Sequence, residues 1–237
     1  MKPTLYLLPG LLCDDTVWRA QLEYFSELAY VCVPDYGDAD SITEMARVAL
    51  HDAPERFSLA GHSMGARVAL EALRMAPERI ERLALLDTGV HRVKPDERQK
   101  RMHLVEIARR EGLDALCDAW LPPMLHPDRR KDEAFMKPLR EMVGCFTPER
   151  FAGQIEALLT RPDTAPALAV AACPALIGVG RQDDWSPVDQ HQDILARLGR
   201  GRLVIFENAG HMAPFEAPQS VNSALREWFE TAPGKYV

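Results

Sequence analysis

Ser63 stands in Gly61-His62-Ser63-Met64-Gly65, a serine with a glycine two positions away on each side. A serine hydroxyl becomes a nucleophile only where the chain also supplies a base, a carboxylate to orient it and donors for the developing oxyanion. The apolar run FSLAG (57–61) precedes it, and a helical pattern over 64–75 follows. That setting suits a strained strand-to-helix turn, in which bulkier flanking residues would strike neighbouring backbone. The helix N-terminus beneath Ser63 also favours negative charge.

The base must come from one of seven histidines. His211, in ENAGHMAPFEAP, directly follows an apolar run and precedes the final helix, so its loop opens on the same sheet edge as Ser63. His51, His91, His103, His126 and His191 fall on helices or charged loops and read as solvated surface. His62 reads as support for the turn, facing away from the serine. GVGRQDDWSP offers two carboxylates, Asp183 and Asp184, on another strand-end loop, and Asp87 at the end of RLALLD is the alternative. Either member of the pair gives the chain order Ser, Asp, His.

The elements that must position these residues follow from hydrophobic patterning. TLYLLP (4–9), YVCVPD (30–35), FSLAG (57–61), RLALLD (82–87), ALIGVG (175–180) and RLVIF (202–206) are near-continuous apolar runs, as expected of strands buried on both faces of a parallel sheet. Helices are predicted over 16–28 after Asp14-Asp15, 41–52 behind a Ser41…Glu44 capping box, 64–75 and 188–198. A closing helix carries Val221, Leu225 and Trp228 on one stripe. The alternation implies an α/β doubly wound, mostly parallel sheet of about six strands.

From about 90 to 170 the rhythm breaks and only helical patterns remain. Two helices are predicted at 97–111 and 113–121. Phe135, Leu139, Met142, Val143 and Phe146 mark a third, with Pro138 as its start or a kink; Thr147-Pro148 opens a fourth. Four helices cannot all serve as one crossover, so they are expected to cap the carboxyl edge of the sheet, where open α/β sheets bind ligands. The expected division is a core of 1–90 and 170–237 with a helical cap of 91–169.

Bulk properties narrow the function classes. The net charge of −7 leaves no electrostatic footprint for nucleic acid. No apolar stretch approaches membrane-spanning length, and Pro9-Gly10 interrupts the apolar start, which argues against a signal peptide. Five cysteines without a CxxC pair or metal-like spacing read as free thiols in a reducing cytoplasm, with no metal site.

Taken together, LLPGLLCDDTVW, GHSMG, GRQDDWSP and AGHMAPFEAP resemble the α/β-hydrolase superfamily, in particular small bacterial esterase-like members with a helical cap between the sixth and seventh strands of the family's sheet. The resemblance covers essentially the whole chain. It implies Ser63 as nucleophile and His211 as general base. Its acid-loop pattern, matched by Gly180, Asp183 and Pro187, prefers Asp183 to Asp184. By position it implies the backbone N–H groups of Leu11 and Met64 as oxyanion donors, with no metal or organic cofactor. Two departures stand out. Pro9-Gly10 replaces the His-Gly of many relatives, which backbone donors tolerate. The usual leading antiparallel hairpin is missing, so the sheet should be shortened.

A carboxylic-ester hydrolase is the leading expectation, acting on a small-molecule ester of small to medium size. The same residues suit a thioesterase, an enol-lactonase or a C–C bond hydrolase; a slow-turnover receptor and a non-hydrolytic lyase are further alternatives. Leu12, Trp120, Trp185 and Met212 are expected to line an apolar pocket. Half of the 28 basic residues lie in 91–169. Resemblance to methyl esterases of pimeloyl-carrier protein therefore adds an acidic carrier protein as a candidate partner.

Overall fold

Six strands form one sheet in the computed structural model, which describes residues 2–232; residues 1 and 233–237, at the ends of the expected core, lie outside the described residues. They are β1 (Thr4–Leu8), β2 (Tyr30–Cys32), β3 (Phe57–His62), β4 (Ile80–Leu86), β5 (Ala175–Gly180) and β6 (Arg202–Phe206). Their order is β2-β1-β3-β4-β5-β6, and every pairing is parallel. All six apolar runs became strands. Every residue of β3 and β5 is buried, which is why these runs are continuous rather than alternating. The edge strands β2 and β6 are only partly covered.

Helices cover both faces of the sheet. α1 (Arg19–Phe25) packs on α11 (Pro218–Glu230), which also lies on β4 and β5. α2 (Ile42–His51), α3 (Met64–Met75), α8 (Ala165–Val170) and α9 (Val188–Leu198) pack side by side in the other layer. The expected caps are present: Asp14 Oδ1 accepts from the Thr16 N–H at 2.8 Å, and Ser41 Oγ from the Glu44 N–H at 3.2 Å.

Four helices stand between β4 and α8: α4 (Glu97–Glu111), α5 (Leu113–Trp120), α6 (Glu133–Gly144) and α7 (Pro148–Leu159). α4 packs on α5 and α7, and α5 on α6. This insertion follows the fourth strand of the shortened sheet. Two details differ from the expectations. Asp132, whose carboxylate accepts from the Phe135 N–H at 3.0 Å, starts α6, so Pro138 lies inside that helix rather than at its start. α8, which patterning missed, packs on α3 and α9. A four-residue helix, α10 (Ala213–Glu216), completes the set. Among the described residues no helix is long and apolar enough to cross a membrane.

Candidate active site

Ser63 occupies a turn that most side chains would strain. Its φ of 55° lies in the left-handed region, held by its own N–H donating to the Leu86 carbonyl at 2.9 Å and by the Thr88 hydroxyl donating to the Ser63 carbonyl at 3.0 Å. Both flanking glycines are sterically required. A Cβ at Gly61 would sit 2.4 Å from the Gly65 carbonyl oxygen, and one at Gly65 would sit 2.2 Å from that of Leu8.

His211 leaves β6 on the expected loop, and its Nε2 lies 2.7 Å from Ser63 Oγ. Its Nδ1 lies 2.8 Å from Asp183 Oδ2. The other oxygen, Asp183 Oδ1, accepts from the N–H groups of Trp185 (2.9 Å) and Ser186 (2.8 Å). Burial alone would raise the Asp183 pKa. The charge and hydrogen bond of His211, with the two N–H donors, outweigh it and hold the carboxyl below its ordinary value. A carboxylate, an imidazole and a hydroxyl thus form one line through which a proton can leave Ser63.

The remaining carboxylates separate cleanly. Asp184 faces solvent and pairs with Arg130 at 3.5 Å. Asp87 is fully buried, and its Oδ1 accepts from the Gly180 N–H at 2.8 Å. Burial, with the charge of Asp183, drives the Asp87 pKa well up, and its bond to Gly180 braces the strand ends.

A second tier of groups fixes the loops. Glu216 is a buried carboxylate whose Oε2 accepts from the Gly210 N–H and whose Oε1 accepts from the His126 N–H, each at 2.7 Å. The His211 N–H donates to the Met124 carbonyl at 2.8 Å. Leu11 lies in a turn closed by the Cys13 N–H on the Gly10 carbonyl at 3.2 Å. The turn abuts the serine: a Cβ at Gly10 would sit 3.2 Å from Ser63 Cβ. Gln154 of α7 reaches that turn and accepts the Leu12 N–H at 2.9 Å. Met64 is the first residue of α3, where N–H groups have no intrahelical acceptor.

The line opens into a cavity of about 360 Å³ lined by Leu11, Met64, Trp120, Trp185 and Met212 among others. Leu12, expected there, does not line it. Its φ of 56° and full burial place the side chain in the core, and Cys13 takes the lining position. The cavity is also less apolar than expected, because Arg67, His91, Lys94, Glu97, Lys100 and Arg101 form part of its wall. Among the described residues no three His, Cys, Asp or Glu side chains gather so as to hold a metal ion.

Three histidines read as solvated surface are not: His126 keeps only 14% of its side-chain exposure, with Nδ1 accepting from the Asp128 N–H, and the other two are His191 and His91. His191 is fully buried, its Nε2 accepting from the Thr88 N–H at 2.9 Å and its Nδ1 set against the Pro187 carbonyl at 3.1 Å. His91 is half-buried at the cavity wall. His62 supports the His211 loop rather than its own turn, its Nε2 lying 2.7 Å from the His211 carbonyl, and it lines the cavity. Burial pushes the pKa of His62 down to about 3 and that of His191 to about 4, so both are neutral near pH 7.

The sign of the resulting pH dependence is definite. A histidine depressed to about 4 from an ordinary 6.5 contributes stability that is fully present above 6.5 and is lost as pH falls towards 4. Raised carboxyls such as Asp87 and Glu216 pull the other way, so the test is a difference between variants. Between pH 7 and 5, wild type should lose about 2 kcal/mol more stability than His191→Gln. Urea unfolding of both proteins at the two pH values measures this; equal losses would contradict a buried neutral imidazole.

A model of the alpha/beta hydrolase family matches residues 5–224. The chain belongs to the alpha/beta hydrolase family. One relative is the (E)-2-((N-methylformamido)methylene)succinate hydrolase of Acinetobacter baylyi, 25% identical over 97% of this chain and 91% of its own length. A pimeloyl-[acyl-carrier protein] methyl ester esterase of Nitrosomonas europaea is 26% identical over 90% of each chain. Among solved structures, a thermophilic esterase from Thermogutta terrifontis with malate bound superposes with a TM-score of 0.85, at 26% identity over 97% of this chain and 90% of its own. An alpha/beta hydrolase is thus a hydrolytic enzyme by family, on the fold expected from the sequence.

Proposed function

We propose that the chain is a serine hydrolase that cleaves small to medium carboxylic esters through an acyl-enzyme. The reading rests on one observation: Ser63 Oγ, His211 Nε2 and Nδ1, and Asp183 Oδ2 follow one another at 2.7 and 2.8 Å beside an open cavity. Ser63 Oγ attacks the ester carbonyl as its proton passes to His211 Nε2. Asp183 holds the imidazole and stabilises its charged form. The carbonyl oxygen becomes an oxyanion, met by the N–H groups of Leu11 and Met64. As the tetrahedral adduct collapses, His211 returns the proton to the leaving alcohol. Water, deprotonated by the same imidazole, then releases the acid.

A cavity of this size suits a small acyl group rather than a lipid-sized one. Five unpaired cysteines suit a reducing compartment, and we assign the enzyme to the cytoplasm. Chromogenic acetyl, butyryl, octanoyl and palmitoyl esters test the function. Turnover should be greatest on the shorter esters and vanish in Ser63→Ala. Best activity on palmitoyl would sink the small-substrate reading. One equivalent of acylation without turnover would identify a receptor instead of an enzyme.

A further inference from the structure

Positive charge on one wall of the cavity exceeds what the protein neutralises. Two guanidiniums line it, Arg67 on α3 and Arg101 on α4; a third, Arg161 just after α7, joins them through the one carboxylate that faces the group, Glu97. Glu97 takes Arg161 through both terminal nitrogens at 2.7 and 2.9 Å, and Arg101 Nε at 2.9 Å. It also accepts the Lys94 N–H at 3.2 Å. Burial would raise its pKa, yet the Arg161 hydrogen bonds lead the opposing effects and hold it at about 2. Glu97 is therefore ionised and fully engaged.

The other lining carboxylates are also committed, Asp96 to Lys100 at 2.5 Å and Asp184 to Arg130 at 3.5 Å. Arg67 is left over. Its side chain is buried, its hydrogen bond to the His91 carbonyl is a long 3.4 Å, and no carboxylate of the described residues pairs with it. Burial and the neighbouring Arg161 bring its pKa down to about 9, which still leaves it charged at neutral pH. A buried charge without a counter-ion is costly, and proteins keep one where a ligand completes the pair. Ser63, at the N-cap of α3, and Arg67, in its first turn, both line the cavity, so the charge lies within a short chain's length of the nucleophile.

We propose that Arg67 is the anion-binding end of this cavity and that the substrate is a half-ester of a short dicarboxylic acid, its free carboxylate paired with the Arg67 guanidinium while its ester carbonyl meets Ser63. Glu97 keeps Arg101 and Arg161 occupied, which leaves Arg67 as the buried guanidinium of the wall that no carboxylate of the described residues pairs; Lys94, the other lining cation without such a pair, is exposed. The inference rests on Ser63 as the reacting group, but the subsite is measurable without turnover.

The test compares monomethyl succinate, glutarate and adipate with their dimethyl esters. The half-ester of the best length should show a kcat/KM roughly 10- to 100-fold above its diester, the worth of a charge-assisted hydrogen bond. Calorimetric binding to Ser63→Ala should show the same preference. In Arg67→Gln the ratio should fall towards unity, and Arg67→Lys should restore part of it. If Arg67→Gln fails to fold, the wild-type ratio and the Ser63→Ala titration decide. Equal rates on both ester types would overturn the subsite and leave the esterase reading standing. Preferential binding to Ser63→Ala without hydrolysis by wild type would do the reverse. A preference that persisted in Arg67→Gln would place the anion elsewhere and also overturn the proposal.

Discussion

Ser63→Ala and His211→Ala are each expected to lower ester turnover by roughly 10⁴- to 10⁶-fold, with the double variant no worse than the poorer single one. The reason is geometric. With Ser63 Oγ 2.7 Å from His211 Nε2, proton removal and attack are one event, so losing either partner forfeits the whole step. Asp183→Asn should cost about 10⁴-fold, because an amide at that position stabilises the wrong imidazole tautomer and cannot balance the imidazolium. The neighbouring acids make the internal control. Asp184→Asn removes only a solvent-facing partner of Arg130 and should stay close to wild type. Asp87→Asn replaces a buried carboxyl, whose pKa burial raises, by a near-isostere that still accepts from Gly180 and should be mild. Steady-state rates on a short-chain ester decide the matter. A large loss in Asp184→Asn, or additive losses in the double variant, would dismantle the assignment.

Gly65→Ala should be among the most damaging single-methyl changes at the described glycines. The added Cβ would lie 2.2 Å from the Leu8 carbonyl oxygen and 2.6 Å from that of Pro9, so rigid backbone rather than a side-chain tip has to give way. Those atoms end β1 and lead into the turn carrying Leu11. The substitution therefore separates α3 from β1 and moves Leu11 relative to Met64 in one stroke. A stability loss of about 3 kcal/mol or more is expected, with activity falling further than stability explains. Gly144→Ala is the matched control, because nothing lies within 4 Å of a Cβ there. Urea unfolding and ester turnover on both variants test this. Indistinguishable unfolding midpoints for the two would show that the strand-to-helix junction is looser than its contacts require.

The sheet was legible because strands covered on both faces announce themselves as unbroken apolar runs, and β1, β3 and β5 have no solvent side to blur that signal. The line from Ser63 to Asp183 was legible because each member sits at a strand end beside small residues that the turn demands. What escaped was tertiary in origin. Arg67 reads as an ordinary helical arginine within GARVAL; its isolation appears only when α4 brings Glu97 to the wall and Arg101 and Arg161 occupy it. His191 left a trace that charge masked: it precedes Ile194 by three residues and Leu198 by seven, on the buried stripe of α9. Leu12 was misplaced because a positive φ reverses the alternation that a run of leucines suggests. α8 is too short, at six residues, to carry a periodic signal.

The Glu216 bridge sets the terms on which this enzyme can be rebuilt. One carboxylate grips Gly210 beside the general base and His126 in the middle of the inserted helices, while the His211 N–H grips Met124. Exchanging the whole insertion at the ends of β4 and α8 would therefore unpin the imidazole along with it. A workable graft keeps residues 122–126 as a fixed dowel in the parent scaffold. Because α4 packs on α7 and α5 on α6, the four helices around it are exchanged together as one cassette, with Phe135 kept against Phe215 beside the loop that moves the proton.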